Sequence, residues 1–152
     1  MAKARSKRND GGGGAERAPE QVPLVVIVDD DASVRQSTDR LIRSFGYRTQ
    51  VFASGQEFLS SGAADRAACL LLDVRMPGMD GLDVQRSLAE RGARLPVVFL
   101  TGRASDEEER RARSAGAVEF LRKPVARASL RQAIENVIRA PTRGDRNGDG
   151  NS

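Results

Sequence analysis

Short runs of Val, Ile, Leu and Phe recur along the chain: LVVIV at 24–28, CLLL at 69–72, PVVFL at 96–100 and VEFL at 118–121. They are apolar on both faces rather than alternating, which is the pattern of parallel strands buried between layers of helices. Between them the spacing turns helical. Val34, Leu41, Ile42 and Phe45 predict a first helix, closed by Gly46 as a C-cap. YRTQVF at 47–52 predicts a shorter strand. Ser54 and Glu57 form S-x-x-E, a capping box for a helix whose apolar face is Phe58 and Leu59. The turn-rich loop VRMPGMDG at 74–81 leads to a helix from Leu82, with Val84 and Leu88 apolar and an end near Gly92. A highly charged helix is predicted over about 105–115, stopping at Gly116. A last helix over about 127–139 carries Leu130, Ile134, Val137 and Ile138. Five strand–helix units in one run imply an α/β fold, a doubly wound (βα)5 sandwich around a five-stranded parallel sheet.

The overall composition of the 152 residues, 39% hydrophobic and 30% charged, is polar for such a fold, and the two ends account for much of that. Residues 1–22 contain four consecutive glycines and scattered charge, and residues 140–152 have no large apolar residue. Both are expected to be disordered tails. The folded domain is expected over 23–139. The net charge of +4 is divided between the first tail and the domain. A basic tail can touch nucleic acid, but this one dilutes its charge with glycine and has no aromatic residue to stack on a base. Direct nucleic-acid binding is therefore not expected. Cys69 is the single cysteine, so no disulfide forms within the chain, which fits a reducing cytoplasm. No apolar run approaches the ~18 residues of a membrane span, and no secretory signal is visible. The absence of histidine removes Ser-His-Asp chemistry, most zinc sites and any phosphohistidine on this chain.

The candidate chemistry lies where the apolar runs end. Asp29, Asp30 and Asp31 follow the first, Asp73 the second, Thr101 the third, and Lys123 comes shortly after the fourth. In an open parallel sheet, ligands bind beyond the carboxyl ends of the strands. Two carboxylate positions, a hydroxyl and an ammonium meeting there can hold a divalent cation and a phosphoryl group. Asp73 is the candidate nucleophile, because a carboxylate can carry a phosphoryl group as an acyl phosphate. Asp29 and Asp30 can supply a Mg2+ site, since that ion takes one or two carboxylates and keeps water. Lys123 can pair with a phosphoryl oxygen and Thr101 can donate to another. Singly, each residue has a plainer role: the acids as helix caps, Asp73 and Thr101 as turn residues, Lys123 as a surface lysine. Asp31 is assigned the capping role.

IVDDD at 27–31, LLLDVRMPGMDGLDV at 70–84, VVFLTG at 97–102 and AGAVEFLRKP at 115–124 resemble the receiver domain of two-component response regulators, and within it receivers of the nitrogen-fixation regulator type. The likeness covers about 23–139 and implies a flavodoxin-like receiver fold. It implies phosphoryl transfer to Asp73 from a sensor histidine kinase or phosphotransfer protein. It implies a metal site of Asp29, Asp30, Asp73 and the Arg75 backbone carbonyl, holding Mg2+ or alternatively Mn2+. Thr101 and Phe120 match the family's switch pair, Lys123 its phosphoryl-binding lysine, and Lys123–Pro124 a frequent cis bond. Phe120 taken alone is equally a core residue. The resemblance implies no enzyme beyond self-phosphorylation from phosphodonors and self-dephosphorylation. An aspartate-nucleophile phosphatase of haloacid-dehalogenase type is disfavoured, because D-x-D is replaced by Asp73-Val74-Arg75.

Two departures matter. The stretch from Asp106 to Glu109 is acidic and is followed by Arg110, Arg111 and Arg113. Acids first and bases last suit the helix dipole, with Glu107–Arg111 and Glu109–Arg113 available as i, i+4 pairs. Such a helix is either simply well solvated or a changed partner surface, and it bears against the family's homodimer through the 102–139 face. The second departure is that no output domain follows residue 139. A stand-alone receiver is expected, acting on an unknown downstream protein or as a phosphate sink. The alternative is the receiver fragment of a helix-turn-helix regulator. D-x-N-x-D-G at 145–150 lacks the closing Glu of a calcium loop and is read as polar tail.

Overall fold

The computed structural model describes residues 22–102, 105–114 and 119–139. Five strands, β1 (Leu24–Val28), β2 (Arg48–Phe52), β3 (Cys69–Leu72), β4 (Val97–Thr101) and β5 (Glu119–Arg122), alternate with α1 (Ala32–Ser44), α2 (Gly55–Ser61), α3 (Gly81–Glu90), α4 (Asp106–Ser114) and α5 (Arg127–Arg139). All pairings are parallel. The sheet order is β2-β1-β3-β4-β5, so the chain winds outward in both directions from β1. This is the doubly wound α/β fold predicted from the apolar runs.

Alternation within each strand divides the core into two layers. Val26, Val28, Leu70, Leu72, Val97, Phe99 and Phe120 face α2, α3 and α4, meeting Phe58, Leu82, Val84, Leu88 and Ala112. Val25, Ile27, Cys69, Leu71, Val98 and Leu100 face α1 and α5, meeting Ile42, Leu130, Ile134 and Val137. β1 and β3 are buried along their whole length, whereas the edge strand β2 is half exposed. This is why the first two read as continuous apolar runs and β2 does not.

Several predicted boundaries move. Thr101 is the last residue of β4 rather than the residue after it. β5 reaches Arg122, one residue further than predicted. α1 is capped at Phe45, and Gly46 follows with φ +102°, the left-handed position beyond the cap. In α2 the Ser54 side chain accepts from Glu57 N–H, but Glu57 Oε1 accepts from Ala53 N–H rather than from Ser54, so the box is shifted by one residue. Complete boxes occur instead at Asp80–Asp83 on α3 and Ser105–Glu108 on α4. A 3₁₀ turn at Ala63–Asp65 has no counterpart in the predicted elements. In α4, Glu107 pairs with Arg110 at 2.8 Å rather than with Arg111, while Glu109 pairs with Arg113 at 3.1 Å. The expected tails beyond 22–139, the 145–150 motif and Gly116 lie outside the described residues. Among the described residues no helix is long and apolar enough to cross a membrane.

Candidate functional site

Main-chain hydrogen bonds carry the strand register past the strand ends and bring distant residues to one edge. Asp29 N–H donates to the Phe52 carbonyl at 3.2 Å, Asp73 N–H to Val28 at 3.2 Å, and Lys123 N–H to Thr101 at 2.7 Å. Asp29 and Asp73 thereby sit side by side beyond β1 and β3. Asp29 is buried and Asp73 partly so, with 12% side-chain exposure.

Lys123 Nζ donates to Asp29 Oδ2 at 3.0 Å and to Asp73 Oδ2 at 3.4 Å. Each carboxylate has a backbone donor on its other oxygen. Asp29 Oδ1 accepts from Asp31 N–H at 2.9 Å, and Asp73 Oδ1 from Arg75 N–H at 3.2 Å. Arg35 Nη1 donates to the Asp29 carbonyl at 2.7 Å, tying α1 to the same corner. Asp31 accepts Val34 N–H with its side chain and caps α1. Asp30 is exposed, yet Asp29, Asp30 and Asp73 each bring an oxygen to within 4.8 Å of one another.

The charges do not balance locally. Burial holds the Asp73 carboxyl above its ordinary value; Lys123 and the Arg75 N–H oppose this, and the Asp29 charge adds to it. Burial alone would lower the Lys123 ammonium, but the hydrogen bond to Asp29 and the charges of Asp73 and Asp29 outweigh it and raise it. Three carboxylates thus converge with one ammonium. An all-oxygen, net-negative donor set fits a hard divalent cation such as Mg2+ or Mn2+.

Thr101 is buried at the end of β4, where its carbonyl accepts from Lys123 N–H. Phe120 is buried too, its ring 5.8 Å from that of Phe99, with the Arg122 guanidinium 5.7 Å from its centroid. The Lys123–Pro124 bond is cis. Two features of the site escaped the sequence. The Arg75 side chain turns away from the carboxylates to Glu108 at 2.8 Å, on an oxygen that also accepts Ser105 N–H at 2.9 Å in the α4 cap. A Cβ at Gly81 would stand 2.3 Å from the Asp73 carbonyl oxygen and 2.9 Å from Phe99, so only glycine lets α3 start against the Asp73 backbone. The Asp80-Gly81 pair was legible as a turn, not as this close approach.

Residues 25–135 match the response regulator receiver domain family. The chain belongs to that family. The receiver is 39% identical over 126 residues to the response regulator protein TmoT of Ectopseudomonas mendocina, an alignment covering 83% of this chain and 57% of TmoT. It is 41% identical over 111 residues to nodulation protein W of Bradyrhizobium diazoefficiens, covering 73% and 49% respectively. Among solved structures, a response regulator receiver protein from Burkholderia phymatum superposes with a TM-score of 0.68 at 40% identity, covering 80% of this chain and 98% of that one. The receiver thus spans about half the length of the curated relatives it matches.

Proposed function

We propose that this receiver accepts a phosphoryl group on Asp73 from a sensor histidine kinase or phosphotransfer protein, with Mg2+, and signals through an altered protein-binding surface. The observation that carries this reading is the Lys123 ammonium shared between Asp29 and Asp73 at the strand edge.

An Asp73 carboxylate oxygen attacks phosphorus, the P–N bond of the donor's phosphohistidine breaks, and its electron pair leaves on the imidazole nitrogen, which takes up a proton. Asp29, Asp30, Asp73 and the Arg75 carbonyl would hold a divalent cation, which would supply neutralisation of charge on the phosphoryl oxygens. Lys123 exchanges its contact with Asp73 for a phosphoryl oxygen, and the Thr101 hydroxyl donates to another. Phosphorylation adds about −1.5 to −2 charge at pH 7. The conformation in which Thr101 and Lys123 best satisfy it gains population, with Phe120 as the second member of the switch. Water later attacks the acyl phosphate and returns the free carboxylate.

A second reading is favoured by the spans: the receiver covers 50% of a relative named transcriptional regulatory protein TdiR, from Thauera aromatica. In it, the same receiver is the regulatory part of a longer DNA-binding protein.

Intact-mass spectrometry with acetyl phosphate and Mg2+ tests the acceptor reaction. One phosphoryl adduct is expected, absent after chelation and absent in Asp73→Asn. A folded protein that gains no adduct overturns the proposal.

A further inference from the structure

Away from the strand-end site, α3 and α4 enclose a groove of about 590 Å³. Leu82 and Gln85 of α3 line it, together with Arg86, Arg110, Arg111 and one acid, Glu107. Two observations describe the groove, one of its floor and one of its rim. The first is Gln85, which is 4% exposed. Its Nε2 donates to the Ala112 carbonyl at 3.1 Å, which fixes the orientation of the amide. Its buried Oε1 is left without a donor among the described residues. A buried acceptor with no partner is costly, and native structures hold few of them.

The second observation is charge. Three arginines face one glutamate in the lining. Arg110 is taken by Glu107 at 2.8 Å, and Arg86 lies 3.4 Å from Asp83. Arg111 makes no ion pair among the described residues, because Glu107 turns to Arg110 instead. Gln85 Oε1 is sealed from the groove by burial, so what the groove presents is an apolar side chain and an excess of guanidinium donors. A free inorganic anion would meet the arginines but offers nothing to Leu82. A nucleic acid would find no aromatic side chain in the lining to stack on. An acidic peptide supplies both complements: carboxylates and an aliphatic side chain.

We infer that the α3–α4 groove docks a short acidic segment of a partner protein, with an aliphatic side chain on Leu82 and carboxylates on Arg86 and Arg111. This docking stands apart from the phosphoryl chemistry, since none of these residues belongs to the strand-end site.

The test is to pan a random peptide library against the whole protein and synthesise the selected sequences. Their affinities are then measured by calorimetry for wild type, Arg111→Glu, Arg86→Glu and, as a control, Arg43→Glu on the exposed side of α1. The expected peptides carry Asp and Glu around Leu or Ile. Arg111→Glu and Arg86→Glu, both of exposed side chains, each weaken them about tenfold, equivalent to about 1.4 kcal/mol. Arg43→Glu leaves them unchanged. Selection of peptides without acidic residues overturns the inference. So does equal weakening by Arg43→Glu, which would mean attraction to positive charge anywhere, or binding indifferent to both groove arginines. Reaction with acetyl phosphate is expected to be the same in Arg111→Glu as in wild type, so this result and that of the Asp73 test are read separately.

Discussion

Lys123 serves two carboxylates at once, 3.0 Å from one and 3.4 Å from the other, and the imbalance has consequences that can be measured. Without a metal ion, ionised Asp73 is a burden on the fold, because burial holds its pKa above the ordinary value. In the presence of chelator, Asp73→Asn should therefore raise the melting temperature. The sign with pH follows from proton linkage: a raised folded pKa means that the native state binds more protons, so the penalty grows as pH rises through the window above 3.8. The stability advantage of Asp73→Asn should accordingly shrink as pH falls through that window, as followed by melting curves of both proteins. Lys123→Ala should act in the opposite direction, leaving buried Asp29 with only its backbone donor, at a cost of about 2 kcal/mol in urea denaturation. At this scale the site was largely legible: Asp29, Asp73, Thr101 and Lys123 each stand at the end of an apolar run, and the sheet geometry does the rest. What the sequence could not show was how one ammonium is divided between two acids, or that the Arg75 side chain leaves the site for Glu108. Both depend on rotamers and on partners 94, 50 and 33 residues apart in the chain.

The elements that hold the site are fastened by caps and by one close approach. Glu108 closes the Ser105 box on α4 and receives Arg75 from the β3–α3 loop, so one carboxylate links the loop beside Asp73 to the start of a helix. Ser105→Ala should cost about 1 kcal/mol, the usual value of a lost N-cap; chemical denaturation measures it, and a larger share of the loss should appear as faster amide exchange in α4 than in α3. Gly81→Ala should cost more, about 3 kcal/mol in overpacking, because the clash is with backbone that cannot swing aside. Its melting temperature should fall well below that of an alanine at exposed Gly92, where no atom lies within 4 Å and only the positive φ is strained. Apart from the charged α4 and the edge strand β2, helices were readable from apolar spacing and strands from the double-sided runs. Cap partners were not: Glu57 bonds Ala53 instead of Ser54, and Glu107 selects Arg110 over Arg111. In the second case i, i+3 and i, i+4 partners are both in reach, and residue spacing cannot choose between them. That choice leaves Arg111 facing the groove.

For the whole molecule, the sheet order β2-β1-β3-β4-β5 sets the carboxyl ends of β1 and β3 next to each other, and the ends of β4 and β5 beside them. The apolar runs imply the doubly wound layers, since strands buried on both faces require helices on both sides; the strand order itself is not written in them. The two edge strands, β2 and β5, depart from the double-sided burial of β1, β3 and β4, because one flank of each lacks a neighbouring strand. We propose that this arrangement makes Asp73, rather than Asp29 or Asp30, the carboxylate that takes up a phosphoryl group. Borohydride reduction after reaction with acetyl phosphate and Mg2+ converts an aspartyl phosphate to homoserine, and peptide mass spectrometry locates it. Homoserine at position 73 alone is the predicted result. Homoserine at 29 or 30, or at no aspartate in a protein that remains folded, would contradict it.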